Sequence, residues 1–108
     1  MSIELAKPIA AYFAAEHAGD AEAVGRCFAE DGVVEDEGGT FAGAAAIREW
    51  NARAREKYHH TVEPVHAIER DGRTIVTGKV SGDFPGSPVN LEHVFSLKGD
   101  KIASLQIR

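Results

Sequence analysis

Five consecutive residues, Val33, Val34, Glu35, Asp36 and Glu37, set two β-branched apolar side chains directly against three carboxylates. Alternation along an extended chain puts Val34 and Asp36 on one face and Val33 and Glu35 on the other. If Val34 faces the interior, Asp36 follows it. A carboxylate in an apolar cavity can take a proton from the carbon beside a carbonyl and return it elsewhere on the same molecule. The competing reading is a solvated strand end. A second cluster, HHTVEPVH, gathers His59, His60 and His66 with Glu63. On a strand starting near Thr61 that spacing does not bring three ligands to one side, and no cysteine joins them, so a metal site is not expected. His59 and His60 suit the polar end of a helix, where imidazolium complements the dipole. His17 and His93 could line a cavity mouth, but no pattern assigns them that role.

The elements that would hold these groups follow from periodicity. Leu5, Ile9, Tyr12 and Phe13 fall on one side of a helix from about Ser2 to Ala18, which turns Tyr12 inward. Gly19 breaks that helix, and Asp20 can cap a short second one whose face carries Ala23, Val24, Cys27 and Phe28. Glu30-Asp31-Gly32 reads as a turn before a short strand, Val33 to Asp36. A third helix starts near Ala44, with Ile47, Trp50, Ala54 and Tyr58 on one side and a solvated, charged face on the other. Four strands complete the chain, with tight turns at Asp71-Gly72 and Gly99-Asp100 and the loop FPGSP between the middle pair. Early helices followed by antiparallel strands make an α+β arrangement, in which a curved sheet closed on one side by helices leaves room for a small apolar ligand.

The chain has 108 residues, enough for a single domain with a real core, here expected to span 1–108. A formal net charge of -5 argues against nucleic acid as a partner. No apolar run approaches 18 residues, so no membrane span is expected, and the N-terminus reads as an amphipathic helix rather than an export signal. Cys27 is the only cysteine, which excludes an intramolecular disulfide and fits a buried structural thiol. A cytoplasmic location is the default expectation. The glycines of GGTFAGA lack dinucleotide-binding spacing.

Three segments carry a resemblance: YFAAEHAGD at the close of the first helix, FAEDGVVED after it, and FAGAAAIREW opening the third. Together with the looser LEHVFSLKGDKIASLQI at the end, they resemble the nuclear transport factor 2-like superfamily in its ketosteroid isomerase and SnoaL-like polyketide cyclase branch, over nearly the whole chain. The resemblance implies a cone, a strongly curved, mixed but mainly antiparallel sheet wrapped on three N-terminal helices in a cystatin-like α+β barrel. It also implies an internal pocket and a homodimer through the outer sheet face. In ketosteroid isomerases an aspartate moves the proton while a tyrosine and a protonated acid hydrogen-bond the developing oxyanion. By position, Asp36 matches the base, Tyr12 the oxyanion tyrosine and Glu92 the acid. Trp50, Val34 and Val94 would line the pocket.

The implied activity is cofactor-free proton transfer on a small cyclic carbonyl compound. Several residues depart from the isomerase pattern. Phe28 and Asn51 stand where supporting tyrosines occur, Glu92 is one methylene longer than the usual aspartate, and Glu37 follows the base in place of proline. These departures favour the competing expectation, a binding or dimerisation module without chemistry. Alternation also opposes Glu92, because Leu91, His93, Phe95 and Leu97 form the more apolar face of its strand. Only if Asn90, Glu92 and Val94 lie on the concave side does Glu92 reach the site.

Overall fold

The structure is a computed structural model that describes residues 4–108. Its elements run α1 (Lys7–Ala18), α2 (Ala21–Arg26), β1 (Phe28–Asp36), β2 (Gly39–Ala42), α3 (Ala44–Tyr58), β3 (Thr61–Arg70), β4 (Arg73–Ser81), β5 (Val89–Lys98) and β6 (Lys101–Ile107). The six strands form one sheet in the order β2-β1-β6-β5-β4-β3. Only β1 and β6 are parallel; the other neighbours are antiparallel. The sheet is open, with β2 and β3 as its edges, and the helices cover one face. The expected α+β class and curved, mixed sheet are therefore present. Among the described residues no helix is long and apolar enough to cross a membrane.

Cross-strand register fixes what faces the helices. Val62, Val80 and Val89 form one inward row, and Ala67, Val76, His93 and Ile107 a second. Thr74, Phe95, Leu105, Val34 and Phe41 form a third. Ile9, Tyr12, Phe13, Val24, Ile47 and Trp50 pack from the helices onto these rows. At the centre Tyr12, Phe13 and Phe95 meet edge to face, with ring centroids 5.1 to 5.8 Å apart. Such pairs add to the apolar area they bury.

Four boundaries differ from expectation. α1 begins at Lys7 instead of near Ser2, because Pro8 belongs in the first turn of a helix, where its missing N–H removes no intrahelical bond; the proposed start at Ser2 lies outside the described residues. α2 ends at Arg26, so Phe28 opens β1 instead of closing a helical face. Glu30-Asp31-Gly32 is no turn but an irregularity inside β1, whose pairing passes from Phe28–Ile102 to Val33–Ser104. Gly32 has no room for a Cβ there, since one would sit 2.9 Å from the Ala29 carbonyl oxygen. Finally, β2 was not expected. Glu37 and Gly38, both with positive φ, make the two-residue turn that folds it onto β1.

Three termini position the site. α1 closes with Gly19 at φ 70, its N–H bonded to the Glu16 carbonyl and that of Asp20 to Ala15. The Asp20 carboxylate accepts the Ala23 N–H at 3.1 Å and so starts α2, as expected. α3 ends on His59 in the left-handed region, φ 48, which turns the chain so that His60 comes back over the helices.

Gly78 in β4 is a tight inward position. A Cβ there would lie 2.8 Å from His93 Cε1 and 2.9 Å from Val62 Cγ2, so the His93 ring packs flat only because residue 78 has no side chain. Gly78→Ala is expected to destabilise the protein by about 1–3 kcal/mol, the range for overpacking a core, read from urea unfolding. An unchanged unfolding midpoint would show that the His93 ring is not packed in this way.

Candidate functional site

A cavity of about 490 Å³ opens between the inner sheet face, α3 and the loop after β4. Phe41, Trp50, Val62, Val80, Phe84 and Leu91 give it a mostly apolar wall. Three ionisable groups lie deeper in the lining, Glu16, His60 and His93, while Asp36 and Glu37 sit at the β1–β2 turn. Arg53 and Lys57 reach it from the exposed side of α3.

Asp36 is the last residue of β1, paired with Gly39 across the two-residue turn. Alternation from buried Val34 turns its carboxylate inward, as the pattern VVED anticipates. Trp50 Nε1 donates to Asp36 Oδ2 at 3.1 Å, tying the end of β1 to the middle of α3. Burial raises the Asp36 pKa above its ordinary 3.8; the Trp50 hydrogen bond opposes that rise, and the neighbouring Glu37 charge reinforces it. The group is a half-buried carboxylate, oriented by the Trp50 donor and made more basic by its surroundings.

Glu16 behaves in the opposite way. It is only 4% exposed, yet its carboxylate accepts from four side chains. Tyr12 Oη donates to Oε2 at 2.8 Å, while Asn51 Nδ2 at 3.0 Å, Arg55 Nη2 at 3.1 Å and His60 Nε2 at 3.3 Å all address Oε1. Arg55 also reaches the Glu16 main-chain carbonyl at 3.2 Å. Burial alone would raise the Glu16 pKa, but the hydrogen bonds from His60, Asn51 and Tyr12 and the His60 charge bring it from 4.5 down to about 2. Glu16 is thus an anion at the back of the cavity.

His93, on the inner face of β5, is 2% exposed, and burial pushes its pKa below 6.5 against the pull of the Leu91 and Val76 carbonyls. It is a neutral imidazole. His60 shares the wall with it, and His59 instead meets Asp83 on the surface, Nδ1 to Oδ2 2.9 Å.

Of the residues singled out from the sequence, Asp36 and Trp50 meet at this cavity. Four others are corrected. Tyr12 is fully buried beneath it, absent from its lining, with its hydroxyl given to Glu16, so it has no free donor for an oxyanion. Glu92 points out of the opposite sheet face and pairs with Arg108 at 3.0 Å, because Leu91 and His93 take the inward positions of β5. Val94 shares that outer face with Ile75 and Gln106. Val34 faces the same side as Asp36 but lies wholly within the core, not in the cavity wall. Glu16, His60 and Asn51 carry no periodic signal. The signal for His93 was the apolar alternation of β5, which had placed it on the inward face.

The SnoaL-like domain model matches residues 9–105. Among solved structures, a protein from Sinorhizobium meliloti proposed to be a polyketide cyclase is 38% identical, with a TM-score of 0.92 over 96% of this chain and 95% of that one. The epoxide hydrolase/cyclase-like enzyme SalBIII, of pyran ring formation in the polyether salinomycin, is 25% identical, with a TM-score of 0.77 over 93% and 85%. A ketosteroid isomerase-like protein from Catenulispora acidiphila, at 23% identity and a TM-score of 0.85 over 97% and 86%, shares the fold. No curated protein matches significantly.

Because the native Glu16 carboxyl is held below its ordinary value, the unfolded chain binds its proton first. The resulting stabilisation, about 3 kcal/mol, is complete above pH 4.5 and lost as pH falls towards 2. In urea titrations across that window, Glu16→Gln is expected to be less stable near neutrality and to lose less stability on acidification than the parent. Equal slopes would contradict the assignment.

Proposed function

The chain belongs to the SnoaL-like domain family, and from that premise we propose that it is a cofactor-free enzyme of proton transfer acting on a small, largely apolar cyclic or ring-forming carbonyl compound. One observation carries the reading: the Asp36 carboxylate stands at an apolar cavity, oriented by Trp50 and more basic than a solvated aspartate. Trp50 occupies Oδ2, which leaves Oδ1 for the substrate proton. Asp36 removes a proton from the carbon beside the carbonyl, and the electron pair of that C–H bond becomes an enolate. In a ring closure the enolate carbon attacks a second carbonyl carbon, and the proton passes to the new alkoxide oxygen. In an isomerisation the proton returns to a different carbon. The likeness to the Sinorhizobium protein and to SalBIII favours ring closure.

His60 supplies the electrostatic support. Its charge lowers the Asp36 pKa, so it lies within reach of the charge that moves, and Glu16 fixes it through Nε2. The tyrosine and acid pair of steroid isomerases has no part in this site, since Tyr12 and Glu92 are committed elsewhere. That fact favours one other reading, a ligand-binding protein that uses the cavity without chemistry.

A homodimer is part of the proposal. The outer sheet face carries the cross-strand row Ile68, Ile75 and Val94, with Ile68 and nearby Val65 exposed. The proposed setting is the cytoplasm, which suits the free, buried thiol of Cys27.

Exchange of the α-protons of 2-tetralone in D₂O, followed by proton NMR, tests the chemistry without the natural substrate. The parent is expected to accelerate exchange, and Asp36→Asn to lower the rate by about 10²-fold or more, as expected for loss of a general base. Acceleration preserved in Asp36→Asn would remove Asp36 from the mechanism. No acceleration by the parent, together with quenching of Trp50, the only tryptophan, by the ketone, would leave the binding reading.

A further inference from the structure

The deep sheet side of the cavity holds a hydrogen-bonding group that proton abstraction by Asp36 does not use. His93 lies in the inward row between Val76 and Ile107, its ring against Gly78 on one side and 5.6 Å from the Phe13 ring on another. Its Nδ1 is 3.1 Å from the Leu91 carbonyl oxygen. A carbonyl only accepts, so Nδ1 carries the proton.

The remaining state of the ring follows from its burial. An imidazole 2% exposed is disfavoured as a cation, and burial outweighs the carbonyls that would stabilise the charge. With Nδ1 protonated and the ring neutral, Nε2 bears a lone pair and can only accept. Among the described residues Nε2 has no hydrogen-bond partner, and the ring forms part of the cavity wall. Nε2 is therefore an acceptor open to the cavity, and a ligand that seals it from water without offering a donor forfeits about 1–3 kcal/mol. A bound ligand has to supply that donor, and a neutral hydroxyl does so without taking a charge out of water.

We infer that the substrate carries a hydroxyl group, remote from the carbonyl presented to Asp36, that donates its hydrogen to His93 Nε2, and that His93 is therefore a specificity-determining residue. This rests on the cavity being a site for carbonyl compounds, as proposed above. It narrows that class to hydroxylated ketones, phenolic or enolic, whose apolar body lies along Phe41, Trp50, Val62 and Leu91. Gly78 is part of the same device, since any side chain there would push the ring out of its place.

Calorimetric titration with 6-hydroxy-1-tetralone and with 1-tetralone, on the parent, His93→Phe and His93→Gln, tests the inference. The parent is expected to bind the hydroxylated ketone about tenfold more tightly, the worth of one net hydrogen bond. His93→Phe keeps a planar ring without an acceptor and is expected to abolish the preference. His93→Gln restores a carbonyl oxygen as acceptor and is expected to retain part of it, which separates acceptor loss from misfolding. Equal affinities in the parent, as water filling the position would give, or a preference preserved in a folded His93→Phe, would overturn the assignment of His93 and leave the cavity reading standing. Binding of neither ketone would overturn both.

Discussion

The buried carboxylate of Glu16 is the constraint on which the rest of the molecule turns. Taking a charge out of water costs several kcal/mol unless the interior returns equivalent partners. Here they come from three elements, Tyr12 on α1, Asn51 and Arg55 on α3, and His60 just before β3. Because one carboxylate satisfies all of them, α1 and α3 cannot slide against each other or against the sheet without leaving a buried ion short of a donor. Trp50 lies on the same helix, one residue before Asn51, so the network that pins α3 also sets the height at which the indole meets Asp36. The Tyr12 hydroxyl is spent in this network.

Three titratable groups of one cavity are pushed in different directions by different causes. Four donors hold Glu16 as an anion. Burial makes Asp36 a stronger base, against the Trp50 hydrogen bond, a Glu37 backbone hydrogen bond and the His60 charge. Burial keeps His93 neutral. Divergence of this kind gives one cavity a fixed negative charge, a movable proton and an uncharged acceptor, three roles that identical environments could not supply. The asymmetry has a plain origin: Glu16 comes from the buried side of α1, Asp36 from a turn near the sheet edge and His93 from a central strand.

The strands after Thr61 were legible because alternation and the Asp71-Gly72 and Gly99-Asp100 turns agree with each other. β2 was not, since Gly-Thr-Phe-Ala is too short for a period and its turn places a glutamate, Glu37, at a positive φ where glycine or asparagine is usual. The inward Asp36 could be read from Val34 two residues earlier. Glu92 shows the reverse: alternation in β5 sent it outward and Leu91 and His93 inward, whereas family position alone had brought it to the site. A shift of one residue along a strand exchanges its faces, so the pleat outweighs an approximate positional match. Glu16 was illegible because three of its four partners lie 35 to 44 residues away in sequence, beyond any local pattern.

The central claim is that Asp36 is a base in a sparingly solvated cavity, and the most direct measurement is its own titration. Carbon-13 NMR of the Asp36 side-chain carboxyl, assigned by comparison with Asp36→Asn, gives the pKa in the folded protein. A value clearly above 3.8 is the predicted result. A value at or below 3.8 would mean a carboxylate held by solvent and hydrogen bonds, and would contradict the account.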